Sequence, residues 1–138
     1  MTLTPEAAKV DAIKRSEHDE QVALFQMAAL HEARIPELRC LFAIPNGGHR
    51  HKAVAAKLKA EGVKAGVPDV CLPVPGDWSF YDGYKSHALY IEMKVGKNKP
   101  TEKQTAWIKE LRTANNRVEV CYSADEAWKV ITDYLGED

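Results

Sequence analysis

The spacing of apolar positions changes several times along the chain, and each change predicts an element. From Pro5 to Ala33 there are strong helix formers, no internal Gly or Pro, and apolar residues at Val22, Leu24, Phe25, Ala28 and Ala29. This predicts a long first helix that stops before Pro36. Arg39 to Ile44 alternates loosely and predicts a strand, ended by the turn formers Pro45-Asn46-Gly47-Gly48. His49 to Glu61 predicts a helix through Val54, Ala55 and Leu58, with Gly62 as its C-terminal cap. Val67 to Val74 and Ala88 to Val95 are the most strand-like runs. Between them, Pro75 to Tyr84 carries Trp78, Phe80, Tyr81 and Tyr84 and predicts a loop or a short hairpin extension.

Pro100-Thr101-Glu102 has the polar cap and early acid of a helix start, and Trp107, Ile108 and Leu111 predict its buried stripe. Asn115-Asn116 ends that helix, Arg117 to Tyr122 follows as a strand, and Ser123 caps a last helix with Ala127, Trp128, Val130, Ile131, Tyr134 and Leu135 facing inward. The order α-β-α-β-β-α-β-α mixes hairpin and crossover connections. It implies an α/β domain with a mixed central sheet and helices on both faces.

At 138 residues and 45% hydrophobic content, one domain over residues 1–138 is expected, with 1–15 an extension of the first helix or partly disordered. No apolar run is long enough for a membrane span, and the N-terminus lacks the layout of a signal peptide, so the expected compartment is the cytoplasm. Cys40, Cys71 and Cys121 are widely spaced in apolar stretches that read as strands, so buried, reduced thiols are expected in place of zinc or disulfides. A net charge of −1 argues against a general nucleic-acid coating protein. The distribution changes that picture. Arg50, Lys52, Lys57, Lys59 and Lys64 face Glu61 alone in one stretch, and Lys94, Lys97, Lys99 and Lys103 face Glu102 in another. If the two stretches meet in space, they make a local phosphate-binding surface.

The sharpest chemical signal is Gly66-Val67-Pro68-Asp69 followed, 23 residues after the aspartate, by the glutamate of Ile91-Glu92-Met93-Lys94. Charged residues rarely sit inside apolar strands without a reason. Strand alternation puts Glu92 and Lys94 on one side and Met93 on the other. If the strand of Asp69 lies alongside, two carboxylates can hold a hard divalent cation beside a lysine. That set suits phosphodiester hydrolysis without a covalent intermediate. Taken singly, each piece reads as a surface ion pair or a turn before a strand. Their combination in this order favours catalysis.

Together with an acid in the first helix, Ile44-Pro45-Asn46-Gly47-Gly48 and Thr101-x-x-Gln104-x-x-Trp107, these motifs resemble the VRR-NUC nucleases of the PD-(D/E)xK, restriction-endonuclease-like superfamily, over about Ser16 to Leu135. The resemblance implies that Asp69 and Glu92 bind Mg²⁺ or Mn²⁺ with the main-chain carbonyl of Met93, that Lys94 is the catalytic lysine, and that Gln104 lies near the active site. For the first-helix acid both Glu17 and Glu20 stand as candidates for a metal or catalytic role. At about 100° per residue Glu17 shares a stripe with Gln21, Leu24 and Ala28, and is ranked ahead of Glu20 at its edge. The resemblance further implies a homodimer, of a kind commonly encoded by phages and so acting in the host cytoplasm, that cuts branched DNA such as Holliday junctions. A flap or single-strand nuclease working with a partner complex, and a non-catalytic module that binds DNA structures, are the alternatives.

Asn46 in the turn is a candidate DNA contact, and His49, Arg50 and Lys52 after it are candidate DNA contacts or a solvated helix start. Lys97, Lys99 and Lys103 are candidate backbone contacts at the mouth of the site. Trp107 and Trp128, on apolar helical stripes, are expected to pack in the core. The loop aromatics have open roles among base stacking, dimerisation and loop packing.

Overall fold

The structure is a computed structural model that describes residues 15–45, 51–78 and 84–137. The expectations for residues 1–14, the turn residues Asn46 to Gly48, His49, Arg50, Phe80 and Tyr81 lie outside the described residues.

The first helix, α1 (Glu17–His31), is shorter than the sequence predicts. Ser16 caps it: its hydroxyl accepts from the Asp19 N–H, and the Asp19 carboxylate accepts from the Ser16 N–H. A reciprocal capping box satisfies two N–H groups at that end, so the helix begins there and does not run through Arg15. Pro36 then starts a 3-10 turn (Pro36–Cys40) in place of the predicted strand, which shrinks to β1 (Phe42–Ala43). The change also leaves Cys40 exposed, whereas Cys71 and Cys121 are buried and free as expected.

Helix α2 (Lys52–Ala60) ends where the glycine predicts. Gly62 has φ +98°, its N–H donates to the Lys59 carbonyl, and the Val63 N–H donates to that of Leu58, the pattern of a Schellman cap. The two strongest strand signals become β2 (Val70–Leu72) and β5 (Leu89–Met93). The aromatic excursion between them is a hairpin, β3 (Gly76–Trp78) with β4 (Lys85–Ser86). Helix α3 (Glu102–Thr113), strand β6 (Arg117–Cys121) and helix α4 (Ala124–Leu135) follow with caps at Thr101 and Ser123 as predicted.

The main sheet has the order β1-β2-β5-β6, antiparallel except for the parallel β5–β6 pair. The mixed α/β sheet expected from the element order is therefore present. Register sorts its residues onto two faces. Val70 lies opposite Ile91 and Leu72 opposite Leu89, and these join Met93, Cys121, Leu24 and Ala28 of α1 and Ala127 and Ile131 of α4 in one apolar core. Cys71 pairs with Tyr90, and Tyr90 with Val118, on the other face. There α3 packs on β6, with Ile108 and Val118 buried outside the first cluster and the Arg112 guanidinium donating to the Val118 carbonyl at 2.7 Å.

Polar ties fix the periphery. Arg117 reaches Asp77 of the hairpin at 2.7 Å and Asp133 of α4 at 2.9 Å, and the Tyr134 hydroxyl donates to the Val74 carbonyl at 2.6 Å. Among the described residues no helix is long and apolar enough to cross a membrane.

Candidate active site

The site grows from the point where β2 begins. Val70 is the first residue of β2 to pair with β5, opposite Ile91, and Pro68 just before it is buried. A proline has no N–H to give a ladder. At this frayed end the Asp69 side chain takes over: its Oδ2 accepts from the Met93 N–H at 2.7 Å, while the Asp69 carbonyl still accepts from the Ile44 N–H of the β1 side at 2.7 Å. A buried backbone donor left by the end of the ladder is thus satisfied by a carboxylate, which locks Asp69 beside the C-terminal end of β5.

Extending the β2–β5 register by one residue sets Asp69 across from Glu92, on the face that carries Cys71 and Tyr90. Glu92 is 1% exposed and its Oε1 has no hydrogen-bond partner among the described residues. Burial, above all, pushes the Glu92 carboxyl up to about 9; a hydrogen bond with Asp69 and the negative charges of Asp69 and Glu17 push the same way, and Lys94 pulls against them. Lys94 is itself buried, with its N–H donating to the Cys121 carbonyl at 2.9 Å. Met93, between them, is fully buried in the opposite layer, as alternation requires.

The two first-helix candidates separate. Glu20 is held in an ion pair with Arg15. Glu17, half-buried, is the helix acid whose field reaches Glu92. Gln104 is drawn into the cap of α3: its Oε1 accepts from the Thr101 N–H at 2.8 Å and its N–H donates to the Thr101 hydroxyl at 3.2 Å. Lys52, Lys97, Lys99 and Lys103 are exposed, and the last three flank the exit from β5 on the loop to α3 and its first turn. The Tyr122 hydroxyl steadies that loop by donating to the Asn98 carbonyl at 2.9 Å.

The donor set fits a hard divalent cation. Two carboxyl groups in hydrogen-bonding contact in a buried place ionise together only with a cation between them; otherwise one keeps a proton. The raised Glu92 carboxyl and its unpartnered oxygen express that requirement. Among the described residues no three His, Cys, Asp or Glu side chains converge as a ready-made cage. Magnesium does not need one, since it is commonly held by one or two carboxylates and keeps several waters.

Two features were not legible in the sequence. Gly66 has φ +91°, and a Cβ there would stand 2.9 Å from the Lys103 backbone, so only glycine lets the loop before Asp69 lie against the first turn of α3. Trp107, expected in the core, is half-buried and lines an open groove with Lys59, Lys64 and Lys103. The two basic stretches do meet, and the cue available beforehand was their lysine spacing.

Residues 7–125 match the model of the VRR-NUC domain. A solved structure described as a VRR_NUC domain protein is similar to this chain with a TM-score of 0.70, over 88% of this chain and 89% of its own at 24% identity, which shows a common fold. No curated protein matches the sequence. With a family match that spans most of its length, the chain belongs to the VRR-NUC family of nucleases.

Proposed function

We propose that the protein is a Mg²⁺- or Mn²⁺-dependent DNA endonuclease whose active site is built from Asp69, Glu92 and Lys94, with Glu17 as the helix acid. The observation that carries this reading is the buried Glu92 carboxyl, with one oxygen unpartnered among the described residues and hydrogen-bonded contact to Asp69. Asp69 and Glu92, with the main-chain carbonyl of Met93, are the groups that would hold the cation. A bound divalent ion would supply neutralisation of phosphoryl charge and a more acidic water. Lys94, on the same side of β5, orients the attacking water and offsets charge that develops on the phosphate. Lys97, Lys99 and Lys103, at the exit from β5, hold the DNA backbone in register without reading its sequence.

The substrate we propose is branched DNA, such as a four-way junction, bound by a two-fold homodimer that presents two sites for paired cuts. The family membership supports this. A monomeric mass in solution, together with symmetric junction cleavage, would remove the dimer from it.

The test is cleavage of a labelled four-way junction and of linear duplex by wild type and Glu92→Ala in Mg²⁺, Mn²⁺ and EDTA. Metal-dependent cutting that disappears in Glu92→Ala is the expected result, with the junction cut faster than the duplex. Cutting that persists in EDTA or in the variant would overturn the assignment.

A further inference from the structure

A groove with an apolar floor and a basic rim lies between α2 and α3. Its volume is 620 Å³, and its floor is formed by Leu58 and Val63 beside the half-buried Trp107. Lys59, Lys64 and Lys103 rim it, and no carboxylate is among the described residues that line it. Helix α2 has no buried residue, so its half-buried Leu58 is turned to this groove in place of the main core. The groove also adjoins the candidate site. Gly66 rests on Lys103, and only Val67 and Pro68 separate Gly66 from Asp69, a reach of at most about 11 Å.

A ligand that matches this lining has negative charge at regular intervals and flat apolar faces between. Nucleic acid supplies both, and the form of it matters. In a duplex the base faces are already stacked on their neighbours, so an aromatic ring in a groove meets only the backbone. In an unpaired strand the faces are available, and stacking on an aromatic side chain tolerates any base. We propose that this groove binds a short stretch of DNA strand left unpaired at the branch of the substrate, with Trp107 stacked on a base and Lys59, Lys64 and Lys103 on phosphates, next to the site that cuts it. The proposal rests on the nuclease reading for its second half, because the groove's use in cleavage depends on the Asp69–Glu92 site being catalytic.

Binding is measured by anisotropy of a fluorescein-labelled short oligothymidylate and of a blunt duplex of equal length, in EDTA, for wild type, Trp107→Ala, Trp107→Phe and the triple variant Lys59→Ala/Lys64→Ala/Lys103→Ala. Trp107→Ala is expected to weaken single-strand binding by roughly tenfold and Trp107→Phe by much less. The triple variant is expected to make the slope of log affinity against log salt shallower by about 2. Duplex binding should change less than about twofold in the tryptophan variants, since no base face is offered. Equal losses on single strand and duplex, or no loss on either, would overturn the proposal, as would a change of sedimentation mass in place of a change in strand affinity. The lysines are exposed, so the triple variant carries the test if Trp107→Ala does not fold. Cleavage in Mn²⁺ is scored separately. Groove-dependent strand binding by a protein that cuts nothing sinks the nuclease reading and keeps the groove; cleavage with unchanged strand binding in every variant does the reverse.

Discussion

The two faces of β5 carry opposite tasks on alternate residues. Leu89, Ile91 and Met93 point into the apolar core under α1 and α4, whereas Tyr90, Glu92 and Lys94 point to the face that carries Asp69. Both faces are buried at the Glu92 end of the strand, so solvent exposure does not tell them apart. What differs is satisfaction. Among the described residues the core face contains no polar side chain in need of a partner, while the other holds a carboxyl oxygen without one. A group kept in that condition costs stability, and a protein retains it where the group has chemistry to do.

The largest effect expected from breaking this comparison is on activity. Glu92→Gln keeps the shape of the side chain and removes the charge, and cleavage of any DNA substrate should fall by roughly 10³-fold or more, measured under single-turnover conditions. Lys94→Ala should likewise abolish cutting while the protein still folds and binds DNA; loss of folding would instead make Lys94 a structural partner of Glu92.

On the opposite face the same experiment reads stability. Ile91→Ala leaves a cavity in the packed layer and should cost about 2–5 kcal/mol in chemical denaturation, with turnover per folded molecule nearly unchanged. If Ile91→Ala lowered turnover as severely as Glu92→Gln does, the division of labour between the faces would be wrong.

The acid's proton sharpens the contrast further. The Glu92 carboxyl sits at about 9 in the folded protein against an ordinary value of 4.5, so the folded state binds this proton more tightly than the unfolded state does. Its contribution is therefore most favourable below the ordinary value and is lost as pH rises toward the folded one. In EDTA, melting temperature should decline between about pH 5 and pH 9, and Glu92→Gln should flatten that decline and stabilise the neutral-pH protein by roughly 1–3 kcal/mol. Added Mg²⁺ should raise the melting temperature of wild type and leave Glu92→Gln unmoved.

The smallest effect concerns Gln104, which caps α3 together with Thr101. Thr101→Ala and Gln104→Ala should each cost about 1 kcal/mol by breaking half of the box. We expect kcat to fall only in the glutamine variant. Equal kcat in both would confine Gln104 to the cap.

Much of this is legible in the sequence, and the reasons are local. Ser123 and Thr101 mark helix starts because a hydroxyl must satisfy free N–H groups, and Gly62 marks a helix end because its backbone turns left-handed there. Alternation along Ile91-Glu92-Met93-Lys94 assigned faces because strand geometry has a period of two. Arg39 to Ile44 reads as a strand from its start, yet Arg39 and Cys40 belong to the 3-10 turn, because such a turn uses the same short run of apolar and polar residues. The first helix ran too far on propensity alone, where the Ser16–Asp19 box decides its start.

The sequence by itself determined the family and the mixed α/β order of elements, and it singled out the candidates for the chemistry, since those follow from residue type and spacing. Tertiary structure alone decided which of them meet. The charge of Glu17 acts on Glu92 while Glu20 is spent on Arg15, Asp69 takes the N–H that β2 leaves unpaired, and Trp107 lines a basic groove and not the core. The physical reason is that each depends on register and packing between segments distant in sequence, and no local preference encodes a distance across the fold.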